Sequence, residues 1–100
     1  MTTSVVVRYT TRPERADENE RLIRAVFAEL ADTHPEGFRY VATRLSDGVS
    51  FVHVATLDGG VNPLDGSPAF ATFLAGIGDR CVDPPEATQG TAVGLYFSGR

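Results

Sequence analysis

Residues 37–56 read GFRYVATRLSDGVSFVHVAT, two β-patterned runs separated by Ser46-Asp47-Gly48-Val49. Asp-Gly between alternating runs is a strong hairpin signal, because a tight turn needs the positive backbone angle that glycine supplies. The runs are assigned as strands over Phe38–Leu45 and Ser50–Leu57. Side chains alternate across a strand. One hairpin face therefore carries Phe38, Tyr40, Ala42, Arg44, Phe51, His53 and Ala55, and the other Val41, Leu45, Val52 and Val54.

Working outward, Ser4–Thr10 is rich in β-branched residues and is read as a first strand, and Thr91–Ser98 as a last one. Pro13 suits the first turn of a helix, where its missing N–H would be unpaired anyway. Glu14, Asp17, Glu18 and Glu20 follow at the positive end of that helix's dipole. Leu22, Ile23, Val26, Phe27 and Leu30 form its apolar stripe, Asn19 is read on its polar side, and His34-Pro35-Glu36-Gly37 stops it. Ser67-Pro68 opens a second helix whose buried side is Phe70, Phe73, Leu74 and Ile77. Gly76 and Gly78 weaken that helix, and its end falls between Gly78 and Val82. Asp83-Pro84-Pro85 cannot continue a helix, so Pro84–Gly90 is read as an extended connection into the last strand.

The order β-α-β-β-α-β predicts a single α+β, ferredoxin-like domain over residues 1–100. Right-handed crossovers give a four-stranded antiparallel sheet of order 4-1-3-2 with both helices on one face. The expected helix-facing set is Val5, Val7, Tyr9, Val41, Leu45, Val52, Val54, Val93, Leu95 and Phe97. That leaves Val6, Arg8, Phe38, Tyr40, Arg44, Phe51, His53 and Tyr96 on a face without cover. An exposed aromatic patch of this kind is unusual on a monomer and predicts a homodimer packed sheet to sheet.

Composition narrows the partners. The net charge is −4 and all nine basic residues are scattered arginines, so there is no electrostatic footprint for nucleic acid. The lone Cys81 allows no intramolecular disulfide and fits a reducing compartment. No apolar run approaches the ~20 residues of a membrane span, so no membrane association and a cytoplasmic location are expected. Two histidines and one cysteine, dispersed, make no metal-ligand spacing, and no phosphate-binding glycine fingerprint is present. No metal or cofactor is expected.

The candidate chemistry lies in the polar groups set among aromatics. His53, mid-strand, is the candidate general base, the alternative being a histidine hydrogen-bonded within an interface. Arg8 is the candidate for steering a developing negative charge, since a guanidinium in an apolar setting needs an anionic or carbonyl partner. Tyr40, Phe51, Tyr96 and Arg44 are candidate substrate-binding residues, with packing as the alternative for the tyrosines and solvent for Arg44. Tyr9 is read on the helix side, where it lines a sheet–helix pocket with Phe27, Phe70 and Phe73. Small Ala42, Ala55, Ala92 and Gly94 near Phe51 and Tyr40 favour a cavity for a small hydrophobic or aromatic ligand.

The hairpin, together with residues 62–77, NPLDGSPAFATFLAGI, and the element order, resembles the dimeric α/β-barrel superfamily and most of all its antibiotic biosynthesis monooxygenase group. The resemblance implies a homodimer with a small-molecule pocket either between sheet and helices or inside the barrel. It also implies metal- and flavin-free oxidation of polycyclic phenolic molecules by dioxygen, and in other relatives haem degradation. Those relatives use an Asn-Trp-His set; this chain has no Trp, and its asparagines are Asn19 and Asn62. The expected function is a cofactor-independent monooxygenase acting on a small aromatic or polyketide-type molecule. The alternatives are a non-catalytic binding homodimer and a dimerisation domain with no pocket.

Overall fold

A computed structural model describes residues 2–59 and 61–96. Strand β1 spans Thr3–Thr11, helix α1 Ala16–Thr33 after a 3-10 turn at Pro13–Arg15, β2 Phe38–Arg44 and β3 Ser50–Leu57. A second 3-10 turn, Pro63–Gly66, leads into α2, Pro68–Leu74; α3 is Ile77–Arg80 and β4 is Cys81–Thr91. The sheet order is β2-β3-β1-β4 and every pairing is antiparallel, which is the expected 4-1-3-2 arrangement read from the other edge. Among the described residues no helix is long and apolar enough to cross a membrane.

Local chemistry accounts for the element ends. Asp47 accepts from the backbone N–H groups of Val49 and Ser50 at 3.0 and 2.8 Å and from the Ser50 hydroxyl at 2.6 Å, which closes the hairpin turn. His34 ends α1 in the left-handed region with its N–H donating to Leu30, one residue before Pro35. Ser67 caps α2 by accepting from the Phe70 N–H at 3.0 Å, and its own hydroxyl donates to Glu29 of α1.

Two expectations are corrected. The first concerns the faces of the sheet. Val5, Val7 and Tyr9 stand opposite Ala55, His53 and Phe51 in the β1–β3 ladder, so they share a face with the aromatic side of the hairpin. That combined face meets the helices: Tyr9, Phe51, Ile23, Val26 and Phe73 are all buried in one core. The uncovered face instead carries Val6, Arg8, Val41, Val52 and Val54, with Val6 and Val41 exposed. A single-residue change in register swaps every side chain to the other face, and nothing in β1 alone reveals which parity pairs with β3.

The second correction concerns the last strand. It runs through Cys81–Thr91, including Pro84-Pro85, and not through Thr91–Ser98. Proline is tolerated here because β4 is an edge strand paired only with β1. The register shifts between Arg8 and Thr10, opposite Glu86 and Asp83, where the proline pair is accommodated in a bulge. Ala92–Tyr96 lies outside the strand, with Val93, Leu95 and Tyr96 exposed; Phe97 and Ser98 lie outside the described residues.

The second helix also divides. Gly76 adopts φ 79° between α2 and α3, and its carbonyl accepts from the N–H groups of Asp79 and Arg80 at 3.1 and 3.2 Å. An L side chain in the left-handed region costs about 1–2 kcal/mol. Gly76→Ala is therefore expected to lower the free energy of unfolding by about 1 kcal/mol, read from the midpoint of urea denaturation.

Candidate functional site

Five elements each contribute one polar side chain to a continuous buried hydrogen-bond chain. Arg80 Nε of α3 donates to Asn19 Oδ1 of α1 at 3.0 Å, and Asn19 Nδ2 donates to the Tyr9 hydroxyl of β1 at 2.9 Å. That hydroxyl lies 2.7 Å from His53 Nε2 on β3, and His53 Nδ1 lies 2.6 Å from the Tyr40 hydroxyl on β2. Arg80 also donates to the carbonyls of Ala75 and Phe73, at 3.2 and 2.6 Å, and its guanidinium lies over the Phe73 ring. Asn19 is 0% exposed, Arg80 2%, Tyr9 2% and His53 4%, so the bonds from Arg80 to His53 are shielded from water, while Tyr40 at the end of the chain is half-buried.

Burial sets the titration of the chain. His53 is pushed down to about 4 by desolvation, so its imidazole is neutral at pH 7. Desolvation raises the Tyr40 hydroxyl to about 12 and also raises Tyr9, against the opposing hydrogen bond from Asn19. Both phenols are therefore protonated under any ordinary condition.

A cavity of about 140 Å³ opens beside the chain, comparable to an engineered protein cavity that binds benzene. Val5, Val7 and Ala55 form its sheet wall, Leu64, Phe70, Phe73 and Ile77 its helical wall, and Tyr9, Tyr40, His53 and Asn62 its polar points. Asn62 is the N-cap of the Pro63–Gly66 turn, its side chain accepting from the Leu64 N–H at 2.9 Å. Tyr40 is also part of a wider, open groove of about 800 Å³ between α1 and β2, with Phe27 stacked on its ring at 4.9 Å. The smaller cavity is the stronger candidate because the desolvated polar groups converge on it.

No family model matches the sequence, and no curated protein matches it. Solved structures do. A protein from Mycobacterium tuberculosis superposes with TM-score 0.73 at 21% identity, covering 99% of this chain and 100% of that one. A mutant of SnoaB, a cofactor-independent oxygenase from Streptomyces nogalater, gives 0.66 at 20% identity, covering 94% and 95%. A structure named as an antibiotic biosynthesis monooxygenase gives 0.70 at 17% identity, covering 92% and 99%. The chain has the fold of the antibiotic biosynthesis monooxygenases. At these identities the likeness is one of fold.

The candidate residues separate accordingly. His53 and Tyr40 come together at the cavity, whereas Phe51 is buried, stacked on Tyr9 at 5.4 Å, and borders the wider groove. Arg8, expected beside His53, points from the opposite face of the sheet and is exposed. Arg44 is tied to α1 through Asp17 and Glu20, at 3.1 and 2.8 Å, and to the Gly48 carbonyl at 2.9 Å. Tyr96 is 86% exposed and off the sheet. Asn19, read as a surface position, is fully buried, and Arg80 was not singled out at all. The signal for both was helical spacing: Asn19 precedes Ile23 and Val26 on the apolar stripe, and Arg80 follows Ile77 by three residues in α3. Among the described residues no group of three or more His, Cys, Asp or Glu side chains is placed to hold a metal ion.

The depressed His53 value has a stability consequence. The unfolded chain takes up a proton near the ordinary histidine value of 6.5, whereas the folded one resists until about 4. Stability is thus fully present above pH 6.5 and falls as pH drops toward 4, by about 3 kcal/mol from this group alone. In urea titrations across that window, His53→Gln is expected to show a shallower acid dependence than the wild-type protein.

Proposed function

We propose that this protein is a homodimer that binds a small aromatic, oxygen-bearing molecule in the sheet–helix cavity and acts on it as a cofactor-independent monooxygenase. The observation that carries the proposal is a ring-sized apolar cavity whose polar points sit on a buried chain of protonated phenols and a neutral imidazole. Tyr40 is the hydroxyl that meets the substrate oxygen, and Phe70, Phe73 and Ile77 hold the ring. His53 positions Tyr40 through the bond to Nδ1.

The chemistry fits an aromatic ketone with an acidic C–H. Hydrogen bonding to the carbonyl oxygen stabilises the enolate left when that proton passes to water at the cavity mouth. The electron-rich carbon then reduces dioxygen: a CH₂ becomes C=O, and the second oxygen atom leaves as water. No further oxidant or reductant is required. The cofactor-independent oxygenase SnoaB, which shares the fold, supports this reading.

A second reading, a non-catalytic binding homodimer of the same fold, is favoured by one feature. Both His53 nitrogens are occupied by tyrosines, so the imidazole presents no free lone pair to a substrate. Oxygen-electrode measurements with a panel of aromatic ketones, from single-ring compounds up to anthrone size, separate the two. Uptake that falls at least tenfold in Tyr40→Phe supports the oxygenase; ligand binding without uptake across the panel supports the binder.

The dimer is proposed to form through the uncovered sheet face, where Val6 and Val41 are exposed beside Val52 and Val54. Sedimentation at micromolar concentration is expected to give a species of twice the 10.7 kDa chain mass. Val41→Glu is expected to shift it to the monomer, while a wild-type monomer would overturn the proposal.

A further inference from the structure

The buried chain has a direction, and Arg80 imposes it. A guanidinium only donates hydrogen bonds and keeps its proton in proteins. Its Nε–H meets Asn19 at 3.0 Å, so the amide must present its oxygen there and its NH₂ to Tyr9. The Tyr9 oxygen is thereby an acceptor, and its own proton goes to the one other partner it has among the described residues, His53 Nε2 at 2.7 Å. The neutral imidazole then carries its proton on Nδ1 and donates it to the Tyr40 oxygen at 2.6 Å. Reversing the chain would turn the Asn19 NH₂ against the Arg80 N–H, two donors facing each other without water. Tyr40 is left with a hydroxyl proton that has no acceptor among the described residues, at the wall of the cavity.

We propose that Asn19 and Arg80 are positioning residues that fix the tautomer of His53, so that Tyr40 donates to the ligand and the cavity selects aromatic molecules bearing an acceptor oxygen, a carbonyl or its enolate. This rests on the cavity being the ligand site, but the tautomer can be read without any ligand.

Asn19→Asp is the diagnostic change. Aspartate keeps the shape and the contact to Arg80 but offers only acceptors to Tyr9. The Tyr9 proton then turns toward Asp, His53 must donate from Nε2, and Tyr40 donates to Nδ1, leaving its oxygen as an acceptor at the cavity. Nitrogen–proton correlation NMR of the labelled full-length protein at pH 7 is expected to show His53 protonated at Nδ1 in the wild type and at Nε2 in N19D. A wild type protonated at Nε2 would sink the proposal, even where N19D does not fold. So would the same tautomer in both proteins.

The ligand arm uses acetophenone, which only accepts, and phenol, which also donates. Acetophenone affinity is expected to fall about tenfold in N19D, the size of one hydrogen bond, and phenol affinity much less. Equal loss for both probes overturns the specificity role. Failure of either probe to bind the wild type, with the tautomers reversing as expected, overturns the reading of the cavity as a ligand site and upholds the directed chain.

Discussion

The Arg80 guanidinium is a full charge held at 2% exposure, and much of the architecture around it is what such a charge requires. Its hydrogen-bonding partners are the neutral oxygens of Phe73, Ala75 and Asn19. Two of these are carbonyls at the end of α2, groups that a continuing helix would have bonded to its own N–H donors. The helix breaks at Gly76 and resumes as α3, which brings Arg80 back beneath the exposed carbonyls. A hydrogen bond to a charged group typically contributes about 1.5–3 kcal/mol, and more is lost when the charge is left buried without it, whereas exposed pairs such as Arg24–Glu20 are screened by water. The buried contact, and not the surface pairs, fixes how α1, α2 and α3 sit on the sheet.

From that anchor the polar chain runs inward through the sheet's helix-facing side. Each link satisfies a group that would otherwise be stranded: Asn19 at 0% exposure, then Tyr9, then both nitrogens of His53. A half-satisfied network would be worse than an apolar core, so the five residues stand or fall together. The imidazole stays neutral for the same reason. Desolvation opposes its charge, and the two phenols satisfy its nitrogens without supplying a negative charge.

The sequence made the hairpin, the element order and both helix starts legible, because turn chemistry, caps and 3.6-residue stripes are local. Parity between β1 and β3 was not local. Val5, Val7 and Tyr9 read equally well against either side of the hairpin, and only burial under α1 and α2 chooses the pairing with Ala55, His53 and Phe51. Pro84-Pro85 read as a strand breaker because sheet interiors exclude proline, although the expected 4-1-3-2 order already put the last strand at an edge, where proline is tolerated. At the candidate site His53 and Tyr40 were visible as polar groups among apolar neighbours. Asn19 was passed over because its polarity outweighed its place on the apolar stripe, although a buried amide inside a helix is what a buried arginine needs.

The corrected faces also change how the two proposed activities of the sheet relate. An aromatic face turned to solvent would have put ligand and partner on one surface, with His53 and Arg8 side by side. The ladder instead sets Arg8 against Val52 on one side and Val7 against His53 on the other. The cavity and the valine face are then separated by the thickness of one sheet and share backbone but no side chains. A substitution on the valine face can reach Tyr40 only by displacing β2 or β3, and close-packed interiors resist such displacement. Tyr40 is the exception to this insulation, because β2 is itself an edge and Tyr40 lines both the smaller cavity and the open groove along α1. The same side chain borders both spaces, so a substitution at Tyr40 alters the cavity and the groove together.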